Sequence, residues 1–237
     1  MTQPLDHIRV LDMSRILAGP WCGQTFADLG AEVIKIERPG AGDDTRGWGP
    51  PFMADRDGAE TDVAAYFLAA NRGKKSVTVD ITKPEGQDLI RRLAAECDVL
   101  IENYKVGGLK KYGLDYDSLS KVNPKLVYCS ITGFGQTGPY AHKPGFASVC
   151  EGISGFRYVN GFPGEAPVRP NLSIGDSIAG LHAAFGVALA LLSRQSSGEG
   201  QTVDIALYEA MFNLLEGVVP EFDGAGVIRE PSGTTVT

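Results

Sequence analysis

Ile8-Arg9-Val10-Leu11-Asp12, a helical pattern from about Pro20 to Leu29, and Glu32-Val33-Ile34-Lys35-Ile36-Glu37 together decide the fold. The first and third segments are short apolar runs of the kind buried strands carry. Pro20 suits a first helical turn and Gly30 suits the stop. Strand, short helix and strand within about thirty residues form a βαβ unit, which requires a parallel sheet and a right-handed crossover.

The same alternation continues outward. Ala64 to Ala70 has a helical pattern, Ser76-Val77-Thr78-Val79-Asp80 a strand pattern, and Pro84 to Glu96 a helix with proline at its start. Asp98-Val99-Leu100-Ile101 and Leu126-Val127-Tyr128-Cys129-Ser130-Ile131 read as strands, with a short helix over Asp117 to Val122 between them. A long apolar helix covers Leu181 to Leu192. Gln201 to Ala206 then reads as a strand and Leu207 to Gly217 as a helix. Arg38 to Asp57 is rich in Gly, Pro and Asp and reads as a long loop, the kind that is functional or mobile in a compact domain. The tail Pro231 to Thr237 carries no obvious element. The fold class is α/β, a Rossmann-like, doubly wound, mostly parallel sheet. Residues 1–200 are expected to form the large domain and residues 201–237 the start of a linker.

Composition bounds the function. The 237 residues carry a net charge of −7, which argues against nucleic acid as the main partner. No apolar run reads as a membrane span, because Gly186 breaks the longest, Ala183 to Leu192. Met1 to Asp6 lacks the basic and apolar regions of a signal peptide. Cys22, Cys97, Cys129 and Cys150 are scattered, and His7, His142 and His182 form no ligand pair. Reduced core thiols, no metal and a cytoplasmic location are expected.

Asn171-Leu172-Ser173-Ile174-Gly175-Asp176-Ser177-Ile178-Ala179-Gly180 places Asp176 before the long helix. First-turn N–H groups and the helix dipole hold an anion there, which suits either a helix cap or a nucleophilic carboxylate that stays ionised. No G-x-G-x-x-G follows the first strand, so Glu37 is a weak candidate for a ribose-binding acid. Arg38, Arg72, Lys74, Lys75, Lys110 and Lys111 could rim a pocket for a phosphorylated cofactor or simply solvate the surface.

The ordered motifs resemble the class III CoA-transferases, the family of formyl-CoA transferase and carnitine CoA-transferase. They are Val10-Leu11-Asp12, Ala18-Gly19-Pro20, Leu29 to Glu37, Gly42-Asp43-Asp44-Thr45-Arg46, Asn71 to Ser76, Glu102-Asn103-Tyr104, Gly133 to Pro139 and Gly175-Asp176. The resemblance implies that Asp176 is the nucleophile and that CoA moves between an acyl-CoA and a small carboxylic acid. It also implies that Leu17, Ala18, Arg38, Lys75, Asn103, Tyr104 and Lys111 bind CoA. No tightly bound cofactor is implied; CoA or acyl-CoA is substrate. Gly42 to Arg46 with Trp48 to Phe52 looks most like the dicarboxylate-using branch.

Gly145-Phe146-Ala147 departs from the Gly-Tyr-Asp common in the family. The racemase branch has a histidine where Phe146 stands, which leaves 2-methylacyl-CoA racemase as the alternative. Family members also continue into a small second domain with a mobile glycine loop, expected to be missing here. The resemblance therefore implies an interlocked homodimer, a second chain completing the fold, or an inactive CoA-binding fragment.

Overall fold

The computed structural model describes residues 3–235. Met1 and Thr2, in the segment read for a signal peptide, and Val236 and Thr237, at the end of the tail, lie outside them. In chain order the elements are β1 (Arg9–Asp12), α1 (Ala18–Asp28), β2 (Glu32–Glu37), β3 (Phe52–Ala54), β4 (Glu60–Ala64), α2 (Ala65–Asn71), β5 (Lys75–Thr78), α3 (Pro84–Glu96) and β6 (Val99–Glu102). There follow α4 (Tyr116–Leu119), β7 (Val127–Thr132), α5 (Ala147–Ile153), α6 (Phe156–Val159), α7 (Ile174–Ser197), β8 (Thr202–Ala206), α8 (Leu207–Phe212) and α9 (Val218–Ala225).

Six strands form one parallel sheet in the order β5-β2-β1-β6-β7-β8. This is the doubly wound arrangement, with the order reversing between β1 and β6. Residue alternation along the strands builds a core on each face. Val10, Val99, Ile101, Val127 and Ile131 pack with residues of α1 and α7. Leu11, Leu100 and Tyr128 pack on the other side with Ile90 and Ala94 of α3 and Leu119 of α4.

Several expectations need correction. The loop Arg38 to Asp57 contains a 3-10 turn over Asp44–Gly47 and the first strand of an antiparallel β3–β4 hairpin. Only five and three residues long, these strands show little alternation to read. The long helix begins at Ile174, seven residues before its expected start, because glycines interrupt the apolar pattern where neighbours approach closely. A Cβ on Gly175 would lie 3.0 Å from the Ala147 side chain, and one on Gly180 would lie 2.8 Å from the Ala18 carbonyl. At 24 residues α7 is, by length and composition, long and apolar enough to cross a membrane. Its Ala179, Ala183, Val187 and Ala190 are instead buried in the sheet's own core. The sheet also continues past residue 200, since β8 pairs with β7.

Lys74 is no surface cation. Its Nζ donates to Asp12 Oδ2 at 2.7 Å, the Pro20 carbonyl at 2.8 Å and Asn71 Oδ1 at 3.1 Å. Both side chains are essentially inaccessible. Burial pushes the Asp12 carboxyl up, but the charges of Lys74 and Lys35 overcome it and hold it below the usual range. Removing one partner strands a buried charge, at a cost of roughly 3–5 kcal/mol. Lys74→Met should therefore lower the thermal midpoint strongly. Asp12→Asn combined with Lys74→Met should lose less than Lys74→Met alone, measured by calorimetry on the three proteins.

Candidate active site

A cavity of about 600 Å³ opens at the carboxyl edge of the sheet. Met13 to Ile16 after β1, Glu37 and Arg38 at the end of β2, Val79 to Thr82 after β5, and Asn103 to Lys105 after β6 all contribute to its wall. It thus lies across the β1/β6 reversal, where open α/β sheets bind ligands.

Its floor is a buried polar lattice. Lys35 Nζ donates to the Ser14 carbonyl at 2.9 Å and pairs with Asp43 at 2.9 Å. Asp43 in turn accepts from the Ile16 N–H at 3.3 Å and from Thr45 N–H and hydroxyl at 3.0 and 2.8 Å. Ile16 is held at φ +70°, a left-handed conformation costly for a β-branched residue. Glu37 is fully committed within the protein. It takes Arg46 through both oxygens at 2.7 Å, Ser76 Oγ at 2.6 Å and the Asp43 N–H at 2.8 Å. Burial pushes the Glu37 carboxyl up, yet these donors and the Arg46 charge bring it down to about 2. Such a carboxylate has no oxygen to spare for a ribose, so the absent glycine fingerprint and the geometry agree.

Four of the residues singled out in the sequence meet at this cavity: Arg38, Asn103, Tyr104 and Lys111. The Asn103 amide is reciprocally bonded to the Arg15 backbone, accepting at 3.0 Å and donating at 2.7 Å, so it fixes the β1 loop. Lys111 lies 4.6 Å from the centre of the Tyr112 ring. Arg15 and Lys105, which the sequence reading did not single out, add two further cations to the wall, and Arg15 pairs with Asp44 at 3.1 Å. Leu17 and Ala18 are buried at the start of α1 and do not line the cavity. Lys75 stands at the amino end of β5, bonded to Glu32 at 2.6 Å, and is not brought to it. Lys110 lines a second, smaller cavity, and Arg72 pairs with Asp28. His142 is exposed in the loop before α5.

Asp176 does not line this cavity, but α7 carries it to the same edge of the sheet. Gly180 touches the first turn of α1, which leaves the carboxyl end of β1. Arg194, near the other end of α7, bonds Asp98 and the Lys125 carbonyl at the amino ends of β6 and β7. The helix therefore runs from carboxyl edge to amino edge. Asp176, four residues before Gly180, stands about 6 Å further toward the carboxyl edge. It is the third residue of α7, and its carboxylate accepts no hydrogen bond among the described residues, so it does not cap the helix. Burial pushes the Asp176 carboxyl up to about 6, the Glu151 charge adds to the rise, and Arg169 opposes it. A poorly solvated carboxylate of this kind is a better nucleophile than one saturated with donors.

Glu151, Arg157 and Arg169 stand near Asp176 and were not found from the sequence. They come from two short helices, α5 and α6, and from the loop before α7, and no local spacing links them.

A family model, CoA-transferase family III, matches residues 5–237. The chain belongs to CoA-transferase family III. Over 212 residues it is 50% identical to succinate–glutarate CoA-transferase of Agrobacterium fabrum, covering 90% of this chain and 53% of that one. It is 46% identical to succinyl-CoA–D-citramalate CoA-transferase of Chloroflexus aurantiacus over 98% of this chain and 56% of the relative. The crystal structure of a CAIB/BAIF family protein from Brucella suis superposes with TM-score 0.93 at 47% identity, covering 98% of this chain and 61% of that one. The chain spans about half the length of the curated family III relatives it matches.

The raised Asp176 value makes a stability prediction. A carboxyl with an ordinary value of 3.8 and a folded value of about 6 contributes stability that is complete below 3.8 and lost as pH rises through about 6. Asp176→Asn should therefore stabilise the fold at pH 7.5 by about 1–2 kcal/mol, after allowance for solvent screening. The gain should vanish below about pH 4, read from urea melts across pH.

Proposed function

We propose that this chain forms the CoA-binding large domain of a transferase that moves CoA from an acyl-CoA, with succinyl-CoA the favoured donor, to a small dicarboxylic acid. The observation that carries the reading is the placement of a poorly solvated Asp176 at the edge of the sheet where the cation-walled cavity opens. Both curated relatives named above carry dicarboxylates in their names, and this supports the substrate class.

An Asp176 oxygen attacks the thioester carbonyl. The C–S bond breaks, giving a mixed anhydride and CoA thiolate. The thiolate then attacks the aspartyl carbonyl, the anhydride C–O bond breaks, and the donor acid leaves behind an aspartyl-CoA thioester. An acceptor carboxylate runs the two steps in reverse, returning Asp176 as carboxylate and carrying off CoA as its own thioester. Nothing is oxidised or reduced, and no proton is consumed. Arg38, Lys111 and Arg15 take the CoA phosphates. Tyr104 supplies an apolar wall, and Asn103 holds the loop that carries Arg15. In this reading Leu17 and Ala18 shape the pocket from beneath, and Lys75 contributes charge only at a distance.

Assembly is part of the proposal. Leu181, Phe185, Leu189 and Leu192 recur along α7 and are exposed, which supports a second copy or a further chain packing on that face. Four buried free thiols support a reducing, cytoplasmic setting.

Acyl-CoA followed by hydroxylamine should convert Asp176 to a hydroxamate, located by peptide mass spectrometry; label on any other carboxylate rejects the assignment. Asp176→Ala should abolish CoA exchange while leaving CoA affinity within about twofold. In the parent protein the exchange rate should climb with pH to a plateau above about pH 6, following ionisation of Asp176. Lys111→Ala and Arg38→Ala should each weaken CoA binding about five- to tenfold, with a smaller loss at high salt, measured by calorimetry.

A further inference from the structure

Ala147 at the start of α5 packs against Gly175, the neighbour of Asp176, and one turn further along α5 lies a charge cluster that does not line the CoA cavity. Glu151 of α5 is completely buried, at 0% exposure. Its Oε2 accepts from Arg157 Nη2 at 3.0 Å and Nε at 3.4 Å. Arg169 Nε stands 3.6 Å from the same oxygen. Glu151 Oε1 is buried and has no hydrogen-bond partner. One fully desolvated carboxylate thus gathers two guanidinium groups, both on the same oxygen.

The two arginines are not equivalent. Arg157 is spent on the fold, since Nη2 also donates to Ser148 Oγ at 2.6 Å. Arg169 makes no hydrogen bond among the described residues, and its side chain is 45% exposed. It comes from the loop between α6 and α7, near enough to Asp176 for its charge to act on that carboxyl. A guanidinium anchored on one side by Glu151, with its remaining N–H groups open, matches a planar carboxylate in two-pronged geometry. The CoA phosphates have their own cations in Arg15, Arg38 and Lys111 on the cavity wall. Arg169 is not among the cations of that wall.

We propose that Arg169, anchored by Glu151, receives the far carboxylate of a dicarboxylic acid whose near carboxyl meets Asp176. The inference rests on the transferase reading for the identity of the near end. It adds the residue that selects for the second charge. A site that hydrogen-bonds one end of a substrate rejects an analogue lacking that end, because its donors are left unmet. With Arg169 half exposed, a discrimination of about ten- to a hundredfold is expected.

The test compares glutarate with butyrate, which lacks the second carboxylate, on the parent 237-residue chain and on Arg169→Gln and Arg169→Lys. Binding is read by calorimetry, and CoA exchange is read separately. Glutarate should bind the parent at least tenfold more tightly than butyrate. Arg169→Gln should erase that preference while leaving butyrate affinity unchanged, and Arg169→Lys, which keeps a positive charge over Glu151, should restore part of it. Equal losses for both acids, no loss for either, or a parent that does not prefer glutarate would overturn the inference. Arg169-dependent glutarate binding without any CoA exchange would support the carboxylate site and strike the transferase reading instead. Exchange through Asp176 that ignores Arg169 would do the reverse.

Discussion

The structure turns on two lysines buried at the carboxyl edge of the sheet. Lys74 is bound to Asp12 and Lys35 to Asp43, all four side chains being shut off from water. Burying four charges is costly unless each is paired and hydrogen-bonded, and each is. Asp12 also holds Ser14 through its N–H and hydroxyl, and Lys35 holds the Ser14 carbonyl. The ends of β1, β2 and the segment before β5 are thereby locked to one another. The loop that walls the cavity hangs from this lock. So do the two acids of the following segment, Asp43 and Asp44, which reach Ile16 and Arg15.

This division between lock and wall explains why so few cations are at the cavity. Six lysines and arginines in the sequence were candidates for a positive rim. Lys74 is inside the lock, Lys75 and Arg72 neutralise glutamate and aspartate elsewhere, and Lys110 faces a different hollow. Arg38 and Lys111 remain, with Arg15 and Lys105 added. Charge in a sequence says nothing of which end of a strand it will occupy. In a parallel sheet that distinction decides whether a side chain meets a ligand.

The centre of the sheet was legible because β1, β2, β6 and β7 each carry a compact apolar run. β1, β2, β6 and β7 fall within a residue of where their patterns place them. The β3–β4 hairpin was hidden, since its short strands are mostly exposed and lack a buried face to impose period two. The start of α7 was hidden for the opposite reason. Gly175 and Gly180 look like breaks, but they are where α5 and α1 come too close for a side chain. The Asp176 position was legible from its motif, whereas its environment was not. Glu151 and Arg169 are eighteen residues apart in the chain, and only packing brings them together.

Ile16 carries a last consequence. A branched side chain at φ +70° stores roughly 1–3 kcal/mol of backbone strain, held in place by Asp43 and by the bonds around Asn103. Glycine there would relax the turn and yield a hardier protein, but it would also let the loop wander between ligand encounters. The isoleucine keeps the pocket's lip preorganised at the expense of heat tolerance, so relieving this one awkward residue would trade a ready-made lip for ruggedness.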